Sequence, residues 1–130
     1  MTFAACFILA EVLPVICFVF GIILHKHEPK QINYLFGYRT ARSMKNDDTW
    51  RFANNLLGRI WLWGGAVLIV VSAAAMLLMK AFAPDTLEIT AELSALVQTA
   101  LMLISIFPVE SALKKRFSND GSRREDGSRE

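Results

Sequence analysis

Residues 60–79 read IWLWGGAVLIVVSAAAMLLM, a run of 20 residues without a charged side chain. As an α-helix this run would be about 30 Å long, which matches the hydrocarbon core of a bilayer. Trp61 and Trp63 stand near its start, and indole rings are enriched at the headgroup level of membranes. The run therefore predicts a transmembrane helix over about residues 60–81.

Two further apolar blocks flank this segment, one on each side in the sequence. Residues 3–24 contain a single charge, Glu11, and residues 89–109 contain Glu92 near their start and several uncharged polar residues. The chain is 54% hydrophobic and 20% charged, and its apolar residues are gathered into these blocks. Such segregation is typical of membrane spans. We therefore expect an all-α integral membrane protein with three transmembrane helices.

The distribution of lysine and arginine predicts how the chain is oriented. The short connection 80–88 carries only Lys80. Seven basic residues lie between spans one and two, and three more follow span three (Lys26, Lys30, Arg39, Arg42, Lys45, Arg51 and Arg59; Lys114, Lys115 and Arg116). Basic connections stay in the cytoplasm, so the N-terminus is expected outside and the C-terminus inside. The segment 25–59 is then cytoplasmic.

The end of this cytoplasmic segment has the pattern of a helix start. Asn46 is a good N-cap residue, and Asp47 and Asp48 would meet the positive end of the helix dipole. From Trp50 onward, apolar residues recur at helical spacing. We expect an amphipathic helix that lies at the inner interface or runs directly into span two. Residues 118–130 contain DGSRRE and DGSRE without apolar residues, and this composition predicts a disordered polar tail.

Three polar side chains are expected to meet in the middle of the membrane. Glu11, Ser72 and Gln98 lie on different predicted spans, and counting residues from the outer ends places them within about one helical turn in depth. A charged residue in a span is costly to insert, so such residues pair or face a wet cavity. The cluster is interpreted either as a hydrogen-bonded contact between helices or as part of a proton or ion pathway.

The sequence offers little support for other chemistry. Cys6 and Cys17 lie in one span, and no catalytic or phosphate-binding motif is present. His25 and His27 alone make a poor metal site, so neither a metal nor another cofactor is expected. The net charge of +2 argues against nucleic-acid binding. The small residues of span two suit close helix packing and also admit contacts in a homo-oligomer.

Two short motifs resemble those of the SdpI family of bacterial membrane proteins. The first is Gly37-Tyr38-Arg39-Thr40, followed by Ser43, by Asn46-Asp47-Asp48-Thr49-Trp50 and by Asn54. The second is Pro108-Val109-Glu110 at the end of span three. Many relatives carry proline where this chain has Ala41. The motif residues that the resemblance carries over are Gly37, Tyr38, Arg39, Thr40, Arg42, Asn46, Asp48, Trp50, Asn54 and Glu110.

This resemblance implies a non-enzymatic protein of the inner membrane that acts by binding. The named member of the family protects its producer from a secreted toxin and holds a transcriptional repressor at the membrane. The expected partners of this chain are therefore the lipid bilayer, a peptide or protein toxin and a cytoplasmic regulator. The alternative is a small proton-coupled transporter or pore subunit that uses Glu11.

The arginines of the first motif have two interpretations. Arg39 and Arg42 could form a fork with Glu110 and so tie the cytoplasmic segment to the end of span three. They could instead bind the anionic headgroups of the inner leaflet.

Overall fold

The computed structural model describes residues 1–26, 32 and 37–123 and consists of helices joined by short connections. The elements are α1 (Phe3–Lys26), α2 (Asp47–Phe82), a 3₁₀ turn (Pro84–Thr86), α3 (Leu87–Ile104) and α4 (Ile106–Arg116). Three segments are long and apolar enough to cross a membrane, namely α1, α2 and the combined run Pro84–Arg116. The expected all-α fold with three membrane spans is confirmed.

Helix α2 begins where its capping signal predicts. The Asn46 side chain accepts a hydrogen bond from the Thr49 amide, and the Thr49 hydroxyl accepts one from the Asn46 amide, which makes a capping box. From there α2 continues for 36 residues without interruption. The predicted amphipathic helix and the second span are thus one helix of about 54 Å. Of the two arrangements considered, the amphipathic helix runs directly into the span.

The third predicted span, residues 89–109, is divided at Ser105 into α3 and α4. Pro108 explains the division, because it has no N–H group to donate to the carbonyl of Ile104 four residues earlier. The Ser105 hydroxyl lies 2.5 Å from the carbonyl oxygen of Met102 and partly replaces the regular helical bonding. The chain can therefore change direction between α3 and α4.

Helices α1 and α2 run antiparallel and approach each other closely through glycines. A Cβ atom added at Gly21, Gly58 or Gly65 would lie 2.3 to 2.7 Å from backbone atoms of the opposite helix. Only glycine fits at such distances, because real side chains need more room. The neighbouring Gly64 is different, since an added Cβ would meet no atom within 4 Å.

The interior is divided into two apolar clusters at opposite ends of the bundle. One contains Cys6, Ala10, Met76 and Ala91 from α1, α2 and α3. The other joins the end of α1, the start of α2 and all of α4 (Leu24, Tyr38, Ala53, Leu57, Val109, Leu113 and Phe117). We call the region around this second cluster the signature end. Between the ends, apolar side chains such as Val67, Val70 and Leu96 are exposed, as expected of surfaces that face lipid.

The residues after α4 fold back onto the start of α2. Phe117 and Arg123 form an isolated antiparallel bridge, and the Asn46 side-chain amide donates to the carbonyl oxygen of Gly121 at 2.7 Å. Residues 118–123 belong to the segment that was predicted to be disordered, but here they make specific contacts because Asn46 offers a second polar group beyond its cap. Residues 124–130 of that predicted tail lie outside the described residues.

Candidate functional site

The residues of the first motif, 37–54, form what we call the signature segment. Gly37 opens its described part with a φ of 108°, a left-handed conformation that glycine adopts without strain. The Tyr38 amide then donates to the Asn54 Oδ1 atom at 2.6 Å. Asn54 is fully buried and also donates to the Trp50 carbonyl oxygen at 2.9 Å. One asparagine side chain on α2 therefore fixes the backbone at the start of the loop.

Two buried hydroxyl groups hold the middle of this loop. The Ser43 hydroxyl accepts from the Thr40 amide at 2.8 Å and lies 3.0 Å from the Tyr38 carbonyl oxygen, to which it can donate. The Thr49 hydroxyl lies 3.0 Å from the Ser43 carbonyl oxygen. Because these buried polar groups find partners within the segment, the loop can pack against α2 without leaving them unsatisfied.

Glu110 on α4 is the point where the two motifs meet. Its Oε2 atom accepts from the Tyr38 hydroxyl and, at 2.8 Å, from the Thr40 hydroxyl. Its Oε1 atom lies 3.7 Å from the Arg42 Nε atom. A carboxylate with three partners from one loop ties that loop to α4, because hydrogen bonds to a charged group are the stronger kind.

The environment of Tyr38 keeps its hydroxyl protonated. Burial raises the pKa of the Tyr38 phenol well above its usual value near 10, and the hydrogen bond to Glu110 raises it further. The neutral phenol is the form that can donate to a carboxylate. Tyr38 therefore serves as a hydrogen-bond donor over the whole physiological pH range.

The remaining motif residues divide between the interior and the surface. Trp50 is fully buried, whereas Arg39 is exposed. Asp48 is also exposed and lies 3.5 Å from Arg123 in an ion pair. The arginine fork foreseen for Arg39 and Arg42 is represented by the contact between Arg42 and Glu110. The signature segment thus packs its uncharged side chains inward and presents charged ones outward.

Ser43, Thr49 and Ser105 contribute to this site although they were not among the predicted site residues. Ser43 and Thr49 carry the buried hydroxyl groups of the loop, and Ser105 accepts a hydrogen bond from the Trp61 indole at 3.0 Å. The spacing of Asn46 and Thr49 is a readable capping signal. The contact between Trp61 and Ser105 joins residues that are 44 positions apart, and no local pattern predicts it.

The three polar residues of the membrane interior lie at one level of the bundle. The Ser72 hydroxyl contacts the Glu11 Oε1 atom, and the Gln98 amide nitrogen donates to the carbonyl oxygen of Ala10 at 3.0 Å. This carbonyl is free because Pro14, four residues later in α1, has no N–H group to donate to it. Neighbouring helices commonly supply the bond that a membrane proline removes. Glu11 and Gln98 therefore link α1 to α2 and to α3.

Within residues 1–26, 32 and 37–123, no group of three or more potential metal ligands is found. His25 lies beside Asn55, whose side-chain amide is 3.4 Å from the His25 carbonyl oxygen. His27 lies outside the described residues.

Comparisons with known proteins agree with this arrangement of helices and motifs. The profile of the SdpI/YfhL protein family matches residues 30–109, well over half of the chain. The uncharacterized protein YfhL of Bacillus subtilis strain 168 is 38% identical over 48 residues, which cover 37% of this chain and 44% of YfhL. The match thus spans less than half the length of that relative. No solved structure matches the chain. With three membrane-spanning segments and a family match that includes the signature segment, the chain is a multi-pass membrane protein of the SdpI/YfhL family.

Proposed function

We propose that this chain is a non-enzymatic binding protein of the bacterial inner membrane, with its N-terminus outside and its signature end in the cytoplasm. Its role would be immunity to a toxin, retention of a transcriptional regulator at the membrane, or both. Family membership supports this proposal. The orientation rests on the excess of lysine and arginine at the signature end.

The observation that carries the proposal is the outward display of basic side chains by a well-packed loop. Ser43, Trp50 and Asn54 are fully buried, whereas Arg39, Lys45 and Arg51 are exposed on the same segment. A loop held by many internal hydrogen bonds presents its charges in fixed positions, which lowers the entropic cost of binding. Such a surface suits a partner that carries negative charge.

The transporter interpretation comes second. Its candidate proton carrier, Glu11, contacts Ser72, and the neighbouring Gln98 holds the carbonyl oxygen of Ala10. Both side chains are therefore engaged in contacts between helices. This favours a structural role for the cluster, which is the helix-contact interpretation of the same three residues.

The genes beside this one supply the partners for a test. A neighbouring gene for a secreted peptide gives the toxin for a killing assay, and one for an ArsR-like repressor gives the regulator for a membrane-retention assay. We expect the wild-type chain to protect a sensitive bacterium or to keep a fluorescent fusion of the repressor at the membrane. Failure in both assays would contradict the proposed function.

Matched variants separate the two interpretations. Arg39→Ala combined with Lys45→Ala should weaken protection or retention, whereas Lys80→Ala at the opposite end and Glu11→Gln should leave both unchanged. The reverse result, loss with Glu11→Gln alone, would favour the transporter. Trp50→Ala is unsuitable for this purpose, because Trp50 is fully buried and its loss would disturb folding.

A further inference from the structure

A long groove runs between α2 and α3 within the membrane-spanning part of the bundle. It consists of two cavities of about 310 and 360 Å³, and both are lined by Leu68. We define the groove by six of its lining residues: Gly64, Leu68 and Ser72 on α2, and Ser94, Val97 and Gln98 on α3. Val97 is exposed at its edge, so the groove is open to the lipid.

One polar atom at the groove lacks a partner. Gln98 is 3% exposed, and its Oε1 atom is buried without a hydrogen bond. The orientation of this amide is fixed, because exchanging its nitrogen and oxygen would place Oε1 against the Ala10 carbonyl oxygen, and two acceptors repel. The Oε1 atom therefore needs a donor that none of the described residues supplies. A buried acceptor without a donor is rare and calls for an explanation.

The walls of the groove suit the close approach of another helix. Gly64 lines it and has open space where a side chain would begin. Ala75 and Ser94 line the other cavity and are also small. Small residues allow helix backbones to come together in membranes, where packing and hydrogen bonds drive association. An acyl chain could fill the same space, but it has no group that could donate to Gln98.

We propose that this groove is the docking site for a membrane-inserted helix of a partner, with a side chain near mid-membrane that donates a hydrogen bond to Gln98 Oε1. The inference rests on the binding role proposed above and adds where a hydrophobic peptide toxin would bind. It is distinct from the basic surface of the signature segment, which faces away from the membrane interior.

The test uses synthetic peptides, so that it does not depend on knowing the toxin. Two leucine-alanine transmembrane peptides of about 20 residues are prepared, one with serine and one with leucine at the centre. Binding to the full chain in phosphatidylcholine vesicles is measured by fluorescence energy transfer. We expect the serine peptide to bind about threefold to tenfold more tightly, which is the usual contribution of one hydrogen bond between membrane helices.

Variants of the chain complete the test. Gly64→Leu should block both peptides without disturbing the fold, because the structure has free space there. Ala74→Leu is the matched control, since Ala74 is exposed on the same helix and is not among the residues lining the groove. Gln98→Leu should abolish the preference for serine. Because Gln98→Leu also removes the bond to Ala10, the conclusion relies on the Gly64 and Ala74 pair if that variant misfolds.

Each other outcome would overturn the inference. Equal binding of the two peptides would mean an apolar groove filled by lipid. Self-association of the wild-type chain that is lost with Gly64→Leu would make a second copy the occupant. If the wild-type chain protects cells and Gly64→Leu protects equally well, the groove is not the toxin site although the proposed function stands. If the wild-type chain does not protect at all, the proposed function fails, whatever the peptides show.

Discussion

At the scale of single residues, Glu110 organises the signature end. It receives two hydroxyl groups and one arginine from a loop that is 68 or more positions away in the sequence. Its side chain keeps about a quarter of its surface exposed, which leaves the carboxylate partly hydrated. The charge is thus kept near water while its partners come from the interior. This compromise avoids the full cost of burying an ion pair.

The contribution of one of these hydroxyl groups can be measured. Thr40→Val removes a donor to Glu110 and keeps the shape of the side chain. We expect a loss of about 1 to 3 kcal/mol in the free energy of unfolding, because a bond to a charged group is lost. The measurement is reversible unfolding in mixed detergent micelles. Thr99→Val is the control, because the Thr99 hydroxyl is exposed and bonds only within its own helix. Equal effects of the two substitutions would contradict the prediction.

The raised pKa of Tyr38 predicts how stability depends on pH. Folding favours the protonated phenol, so the stabilisation is complete below the pKa of the unfolded chain, about 10, and is lost as pH rises through the higher pKa of the folded state. Stability should therefore fall under alkaline conditions. The tyrosinate absorbance of a Tyr34→Phe variant reports Tyr38 alone, because the chain has two tyrosines. Glu110→Gln should shift this titration to lower pH, and an unchanged titration would argue against the contact.

At the scale of elements, the pairing of α1 with α2 depends on glycines that face a backbone. Gly65 lies against Phe18, and the facing atoms would be 2.7 Å from an added Cβ. The two helices must separate to accept any side chain at this position. The adjacent Gly64 faces open space. Two neighbouring glycines in one helix thus have opposite roles.

This difference gives a matched pair of substitutions. Gly65→Ala should destabilise the chain by about 1 to 3 kcal/mol through overpacking. Gly64→Ala should be neutral or stabilise it by up to about 1 kcal/mol, because alanine is the better helix former. Unfolding in mixed micelles measures both. A larger loss for Gly64→Ala than for Gly65→Ala would mean that the helices pair differently.

A second prediction at this scale concerns the proline of α1. Pro14→Ala restores an N–H group for the Ala10 carbonyl, so the bond from Gln98 becomes less important. In a double-mutant cycle, Gln98→Leu should cost less in the Pro14→Ala background than in the wild type, by about 0.5 to 1.5 kcal/mol. Strictly additive effects would show that the two residues are not coupled.

At the scale of the whole molecule, the chain has a membrane part and a part that extends beyond it. Helix α2 is about 54 Å long, whereas the hydrocarbon core is about 30 Å thick. Its first turns therefore extend past the membrane and form the signature end with α4 and a separate apolar cluster. The basic residues gather at this end. The protein is thus asymmetric across the membrane in both shape and charge.

This asymmetry predicts the outcome of reporter fusions. Alkaline phosphatase, which is active only outside the cytoplasm, should be inactive when fused after Lys45 or Arg116 and active when fused after Asp85. A green fluorescent protein fused at the same positions should give the opposite pattern and serves as the control for expression. Phosphatase activity after Lys45 would reverse the proposed orientation and remove the cytoplasmic regulator from consideration.

The sequence by itself determined the spans and the start of α2. Transfer of a 20-residue apolar run into lipid and the capping of a helix by Asn46 depend on residues adjacent in the chain, so their patterns can be read directly. The polar cluster was predicted from depth alone, because rise per residue is constant in a helix. The motif residues of the signature segment were available only through resemblance to a family.

The tertiary structure decided which side chains meet. The partners of Glu110, the bond from Gln98 to Ala10, the turn of residues 118–123 and the groove beside Gly64 all depend on the rotation, tilt and separation of the helices. These quantities are set by packing between distant segments, as the glycines of α1 and α2 show, and no local pattern encodes them. Insertion into the membrane is a local property of the sequence, whereas recognition between helices is a property of their assembled surfaces.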